Sequence, residues 1–352
     1  AVISWDEKTL KVLQDCRQPF DDLVKLTKRQ AGGCCTVVVK PEDLKGDVTL
    51  QSIVDRFANR DRANRDHITI CLMPGIYSLP QSLQLDSRHS NFTLEGCGDG
   101  AQLQAEPDRE TNFLHGLIVL NRANYVTLRN LRFQLPIVPF AKAGGKLTSF
   151  LESKNERFDF GSKFQETLHV SVGIRPLHCE LLTVQNCLFR FEIQKISNLF
   201  AVGLFAGSEC WGVNLIGNRF LRDEEYLIDQ ENTNENEQRF LVGYLLSPSF
   251  IGENSQELSI VPSLLQDGII LDNRFTGLTT AMLILADTGM VRVENNIVFQ
   301  CLSGFWLTPI ELGKVLGVNL ETALLGLLFP LPKSFDIREL AQNWTGKIED
   351  IP

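Results

Sequence analysis

A pattern of eight residues recurs along the chain. Each copy has a turn-forming residue at its fifth position and a large apolar residue at its end. The five copies span 126–133, 182–189, 213–220, 268–275 and 291–298. In each copy mostly aliphatic residues alternate, Asn, Gly or Asp takes the fifth position, and Phe or Val follows three positions later. Alternation predicts a short strand with one buried face. Because Asn, Gly and Asp tolerate the left-handed backbone conformation, a bend is expected after each strand.

The spacing of the copies predicts a stack of coils. The last two closing residues, Phe275 and Val298, define a coil of about 23 residues. Longer intervals contain polar or irregular insertions near 136–167, 222–239 and 247–266. A single coil cannot bury its apolar row, so we expect the coils to stack and the phenylalanines to form a buried column. The alternative, an antiparallel sandwich, does not require a fixed register between the turn residue and the phenylalanine.

The N-terminal part of the repeat region has its own order of elements. Residues 35–41 read as a strand that ends at Pro41, and 47–58 as an amphipathic helix capped by Asp47 or Thr49. A second strand then runs into Pro74-Gly75-Ile-Tyr77, and Thr93-Leu-Glu-Gly-Cys-Gly98 follows.

This order of motifs resembles the opening of right-handed parallel β-helices of the pectin-lyase-like superfamily. The resemblance covers roughly 35–308 and implies an all-β, right-handed, single-stranded parallel β-helix (a solenoid) with an N-terminal capping helix and a C-terminal helical segment. The segment Gly33-Cys-Cys-Thr-Val-Val-Val39 resembles β-helix proteins encoded with phage-tail-like contractile injection systems in bacteria.

We therefore expect three regions: an N-terminal extension over 1–33, the β-helix with its insertions over 34–308, and a C-terminal helical cap or tail over 309–352. Thr308-Pro-Ile-Glu311 fits a capping box that opens the first C-terminal helix. Its apolar faces suit either a lid on the open end of the coil or contact with a partner or membrane surface. Because Ala1 is not an initiator methionine, we expect the start to have been processed, trimmed or cut from a longer protein.

Composition excludes several functions. The net charge is −9 and no basic stripe is visible, so we expect no nucleic-acid partner. No apolar run reaches the length of a transmembrane helix. The nine cysteines contain no Cys-x-x-Cys pair, so we expect neither a zinc nor a redox site. Five cysteines in or beside apolar runs are interpreted as reduced, buried residues, which favours cytoplasmic synthesis and assembly and leaves an extracellular particle open. They are Cys71, Cys97, Cys187, Cys210 and Cys301.

The repeat register permits a test for paired carboxylates, which glycosidases and calcium-dependent lyases need. The outward positions beside the buried aliphatics form two columns. The columns are Thr127, Thr183, Asn214, Ile269, Arg292 and Arg129, Gln185, Ile216, Leu271, Glu294. One carboxylate among ten residues counts against polysaccharide cleavage on this face.

Two kinds of candidate site residue remain. Four arginines flank the phenylalanine turns and either line a groove for an anionic sugar or simply solvate the turn edge; they are Arg190, Arg219, Arg222 and Arg274. Together with Arg129 and Arg292 from the columns, they form the predicted binding surface. If the protein is an enzyme, acids from the insertions and nearby must converge; they are Asp159, Glu166, Asp223, Glu224 and Asp267. No cofactor is expected, with calcium as the alternative for an enzyme.

Two hypotheses for function follow. The first is a non-catalytic structural or recognition β-helix protein. It would have protein partners in a larger assembly, such as a contractile injection system. Such an assembly would allow an oligomer such as a trimer. Rim loops on a regular scaffold favour it. The alternative is a carbohydrate-active enzyme, a polysaccharide lyase or glycoside hydrolase, that acts on an acidic polysaccharide.

Overall fold

The structure is a computed structural model, and the parts of the chain that it describes contain mainly β-strands. The described residues are 2–6, 9–14, 35–58, 67–98, 100–143, 168–192, 196, 198–207, 210–222, 238–247, 267–284, 290–301 and 303–307. The elements in chain order are β1 (Val2–Asp6), β2 (Thr9–Gln14), β3 (Val37–Val39), α1 (Leu50–Ala58), β4 (Ile68–Leu72), β5 (Gly75–Leu79), β6 (Leu83–Asp86), β7 (Phe92–Gly96), β8 (Ala101–Ala105), β9 (Ile118–Asn121), β10 (Val126–Arg129), β11 (Leu131–Gln134), β12 (Val138–Pro139), β13 (Leu168–Leu177), β14 (Thr183–Gln185), β15 (Leu188–Phe191), β16 (Asn198–Gly207), β17 (Val213–Ile216), β18 (Arg219–Arg222), β19 (Gln238–Ser247), β20 (Asp267–Leu271), β21 (Arg274–Thr276), β22 (Thr280–Ile284), β23 (Met290–Glu294), β24 (Ile297–Phe299) and β25 (Ser303–Leu307).

Three parallel sheets wind together. Sheet 1 has the order β3-β4-β7-β10-β14-β17-β20-β23, sheet 2 the order β5-β8-β11-β15-β18-β21-β24, and sheet 3 the order β6-β9-β13-β16-β19-β22-β25. Each coil contributes one strand to each sheet in turn, so every strand pairs with its equivalent one coil away. This is a parallel β-helix. Antiparallel pairing in the described residues is confined to β1 with β2 and β12 with β13; the right-handed winding stays a prediction from the resemblance.

The strand register confirms the repeat frame. Thr127 pairs with Thr183, Thr183 with Asn214, and Asn214 with Ile269, which in turn pairs with Arg292. The outward columns predicted from the sequence therefore lie side by side on sheet 1. The same register extends one coil earlier, because Phe92 in β7 pairs with Val126 in β10.

The predicted phenylalanine column is a continuous stack inside sheet 2. The ring centroids of Phe133 and Phe189 are 4.7 Å apart, those of Phe189 and Phe220 4.6 Å, and those of Phe220 and Phe275 4.8 Å. The planes of successive rings deviate from parallel by at most 18°. All four side chains are fully buried. Because the ring spacing matches the distance between strands, each coil adds one ring to the stack.

The turn after each sheet 1 strand is left-handed, as the sequence predicts. Its residue has φ between 53° and 65° in all five frames. The residues are Asn130, Asn186, Gly217, Asp272 and Asn295. This turn redirects the chain from sheet 1 into sheet 2.

A ladder of buried asparagines follows these turns. The Asn218 Nδ2 group donates to the Asn273 Oδ1 atom at 3.0 Å and to the Val184 carbonyl at 2.8 Å. The Asn273 Nδ2 group repeats the pattern, donating to the Asn296 Oδ1 atom and to the Leu215 carbonyl, both at 2.9 Å. The ladder satisfies backbone carbonyls that the bend removes from the sheets.

In the sequence, helix α1 connects β3 and β4, the first two strands of sheet 1. Its N-terminus is capped by Thr49, whose Oγ1 atom accepts a hydrogen bond from the Ser52 amide at 3.1 Å. Leu50 and Val54 are buried on its inner face, as predicted. Gln51 reaches the backbone of Gln84 in β6, a strand of the first complete coil. A closing role for the helix at this end of the coil stays a prediction.

The cysteines only partly follow the prediction. Cys35 and Cys71 form a disulfide, so the interpretation of Cys71 as a reduced residue is wrong. Cys187 and Cys210 are buried free thiols, as expected, whereas Cys97 and Cys301 are half-buried. The sequence could not reveal the disulfide because its partners are 36 residues apart and become neighbours only through the pairing of β3 with β4.

The C-terminal helices predicted over 309–352 lie outside the described residues, as does most of each predicted insertion. The division into three regions therefore remains a prediction. The last described coil leaves apolar side chains at the surface, including Val298 and Phe299 at 40% and 49% exposure. Within the described ranges, no helix combines the length and apolar character needed to cross a bilayer.

Candidate anion-binding face

The outward side of sheet 2 carries a group of arginines that we call the arginine face: Arg132, Arg190, Arg219 and Arg274. Strand alternation directs the phenylalanines inward and these neighbours outward. Arg132 pairs with Leu188, Leu188 with Arg219, and Arg219 with Arg274. Three of the arginines therefore form one column, which Leu188 interrupts. Arg190 lies two residues after Leu188 on β15, in the adjacent outward column.

All four guanidinium groups of the arginine face are exposed and lack a carboxylate partner among the described residues. By contrast, Arg88 pairs with Asp86 and Arg109 pairs with Glu106. Directly paired positions in neighbouring strands are about 4.8 Å apart, so Arg219 and Arg274 are close like charges. Such a pair is unfavourable, and a bound anion relieves the repulsion.

A cleft of about 230 Å³ lies beside the arginine face, at the turns that join sheet 1 to sheet 2. Its lining residues are Gly98, Gly100, Asn130, Leu131, Arg132, Asn186, Cys187, Leu188 and Arg219. Gly100 keeps it open, because a Cβ atom there would lie 3.0 Å from the Asn130 carbonyl oxygen and 3.5 Å from the Arg132 Nε atom. The cleft thus combines two guanidinium groups, two amide side chains and two leucines, Leu131 and Leu188.

The six arginines predicted as a binding surface are divided by the structure. Arg190, Arg219 and Arg274 share the exposed side of sheet 2. Arg129 lies on sheet 1, where its guanidinium donates to the Glu95 carboxylate at 2.6 Å. Arg292, also on sheet 1, pairs with Glu294 at 2.7 Å. These two arginines pair with carboxylates of their own sheet, and their part in a binding surface stays a prediction.

Arg222 is half-buried at the end of β18, where it pairs in register with Phe191. It therefore does not extend the exposed face. Arg132 was missed by the sequence reasoning, although a signal was present. The position before the closing Phe or Val holds Arg in three of the five frames, and the three are Arg132, Arg219 and Arg274.

Of the five predicted catalytic acids, only Asp267 lies in a described segment, so their convergence stays a prediction. Asp159, Glu166, Asp223 and Glu224 lie outside the described residues. Asp267 begins β20 and pairs in register with Met290. On the described outer face of sheet 1, the column that holds Arg129 contains two carboxylates, Glu95 and Glu294, five coils or about 24 Å apart along the stack. Paired catalytic acids lie about 5–10 Å apart, so these two do not form such a pair.

The sequence analysis did not single out Arg175, an arginine of sheet 3. Arg175 in β13 is buried, with its guanidinium carbon 4.7 Å from the centre of the Phe205 ring. Its neighbours in the same column, Val119, Phe205 and Leu245, are also buried. Since this part of sheet 3 is covered, Arg175 does not contribute to an accessible face.

Comparison with known proteins gives matches only among solved structures. No family model matches the chain, and no curated protein matches it. A PL6 family alginate lyase is 14% identical with a TM-score of 0.41, and the match covers 75% of this chain and 28% of that one. A putative glycosyl hydrolase from Parabacteroides merdae is 12% identical with a TM-score of 0.36, covering 76% and 95%. Pectin methylesterase from Erwinia chrysanthemi is 10% identical with a TM-score of 0.31, covering 70% and 80%.

The chain thus spans little more than a quarter of the alginate lyase. Similarity at these identities and TM-scores carries no information about substrate or mechanism. The assignment of the fold depends instead on the pairing of the strands in three parallel sheets, which confirms the parallel β-helix expected from the resemblance.

Proposed function

We propose that this protein recognises an acidic polysaccharide through the arginine face of sheet 2. The observation that supports the proposal is the column of exposed guanidinium groups without carboxylate partners among the described residues, on a chain whose net charge is −9. A guanidinium donates two parallel hydrogen bonds to a carboxylate, and this geometry suits a uronate better than a neutral sugar.

The dimensions of the face fit a linear polymer. From Arg132 to Arg274 the column spans three coil steps, about 14 Å. A polyuronate presents one carboxylate on each sugar, and each sugar advances the chain by a distance similar to one coil. Leu188, between Arg132 and Arg219, offers an apolar surface to a sugar ring. In the adjoining cleft, Asn186 offers an amide group to hydroxyls, whereas the Asn130 Nδ2 group already donates to the Glu95 carboxylate at 3.3 Å.

The test is binding of the full chain to polygalacturonate and alginate by calorimetry, with dextran as a neutral comparison. We expect binding to the two acidic polymers, weakening as salt is added. The double substitution Arg219→Gln/Arg274→Gln should weaken binding about tenfold or more, because each lost charge-assisted contact contributes about 1 kcal/mol. Oligouronides should gain affinity with length only until they span the column.

The matched control is Arg292→Gln, an exposed arginine on sheet 1 that already has Glu294 as its partner. It should bind like the unmodified chain. Equal binding of dextran, or unchanged affinity in the double variant, would contradict the proposal. Release of shortened chains from the same mixtures would show that recognition serves an enzyme, the second hypothesis drawn from the sequence.

Membership in a contractile injection system is a separate proposal, and it rests on the resemblance of the segment 33–39. Its test is co-sedimentation of the native protein with tail-like particles. Absence of the protein from such particles in the native source would overturn it.

A further inference from the structure

Three cysteines from separate coils meet on the early strands of sheet 1. Cys35 precedes β3, Cys71 lies in β4, and Cys97 follows β7 directly. Each of the three Sγ atoms lies within 4.8 Å of the other two. Cys35 and Cys71 form the disulfide, and Cys97 is a free thiol. No other group of three potential metal ligands is found in the described part of the chain.

The backbone fixes this cluster independently of the disulfide. The Thr36 amide donates to the Thr69 carbonyl at 2.8 Å, and the Thr69 amide donates to the Thr36 Oγ1 atom at 3.0 Å. The Cys97 amide donates to the Leu72 carbonyl at 2.8 Å. Since β3, β4 and β7 are hydrogen-bonded neighbours, reduction of the disulfide would leave the three sulfurs close together.

We propose that, once a thiol or phosphine reductant has cleaved the disulfide, Cys35, Cys71 and Cys97 bind one zinc ion or a similar thiophilic divalent cation. Reduction supplies two electrons and two protons and gives two thiols. Binding of the ion by three thiolates then releases three protons. Zinc–sulfur bonds of about 2.3 Å in tetrahedral geometry place the sulfurs about 3.8 Å apart. The three sulfurs already lie within 4.8 Å of one another, and cleavage of the disulfide frees Cys35 and Cys71 to move to that spacing. A water molecule would complete the fourth position.

The experiment uses the full chain, reduced and then freed of reductant under anaerobic conditions. Zinc bound after gel filtration is counted per chain, and Co²⁺ is added as a spectroscopic probe of tetrahedral thiolate coordination. We expect one ion per reduced chain and none at this site in the oxidised chain. Cys97→Ser should lower zinc affinity more than about 100-fold, because removal of a ligand exceeds the cost of disturbing an outer partner.

Two controls keep the result specific. Cys301→Ser removes a half-buried cysteine from the last described coil and should not change binding. Cys34→Ser tests the cysteine adjacent in sequence and should also leave binding intact. Because the oxidised and reduced forms share one sequence, their comparison does not depend on whether a variant folds. The proposal is overturned if the reduced chain binds no ion, if oxidation does not abolish binding, or if Cys97→Ser binds as tightly as the unmodified chain.

Discussion

Replacing Phe220 with alanine is expected to lower the free energy of unfolding by about 3–5 kcal/mol. The Phe220 ring is fully buried between those of Phe189 and Phe275, so its loss breaks two stacking contacts at once. The cavity cannot be filled from the facing strand, because Gly203 has no side chain. A Cβ atom there would lie 2.6 Å from the present Phe220 ring. Chemical denaturation followed by circular dichroism measures the loss.

Phe299→Ala is the matched control for this substitution. Phe299 lies in β24 of the same sheet but is 49% exposed, so its truncation should cost less than about 1 kcal/mol. A loss below about 1 kcal/mol for Phe220→Ala, or equal losses for the two variants, would show that the stack does not hold the coils together.

The second large effect is expected for Asn273→Asp, an almost isosteric change in the asparagine ladder. The Asn273 Nδ2 group donates to Leu215 and Asn296, and its replacement by an oxygen turns both hydrogen bonds into repulsive contacts. Because the site is buried, an uncompensated carboxylate there should cost about 3–5 kcal/mol at neutral pH. The ionised form carries most of the penalty, so the loss relative to the unmodified chain should shrink as the pH is lowered.

Asn295→Asp provides the comparison, since it introduces the same chemical change one residue before the next ladder position. Asn295 is exposed in the left-handed turn, and Asp272 already occupies the equivalent turn one coil earlier. We expect a change within about 0.5 kcal/mol. Denaturation of both variants at neutral and acidic pH separates the two outcomes; similar losses in both would contradict a specific role for the ladder.

Much of the fold was predictable because the repeat is local. The period of two along a strand and the left-handed turn residue fix which side chains face inward within each coil. The position of Phe189 relative to Asn186, for example, is set within four consecutive residues. The ladder position directly after the turn was overlooked, although Asn218, Asn273 and Asn296 share it.

The candidate site was less predictable because charge pairing depends on neighbouring coils. Arg129 and Arg219 look equivalent in the sequence, yet among the described residues only Arg129 has a carboxylate partner, Glu95, which is 34 residues away. The same limit applies to the cysteines. A search for short Cys-x-x-Cys spacing could not detect a cluster whose members are separated by 36 and 26 residues.

The sequence by itself determined the coil, its turn and its column of aromatic rings, because these follow from backbone geometry within about ten residues. Only the tertiary structure decided which arginines of sheet 2 have no carboxylate partner in the described segments and which three sulfurs meet on sheet 1. Those contacts join coils separated by segments of different length, and the chain specifies them only when its strands have paired.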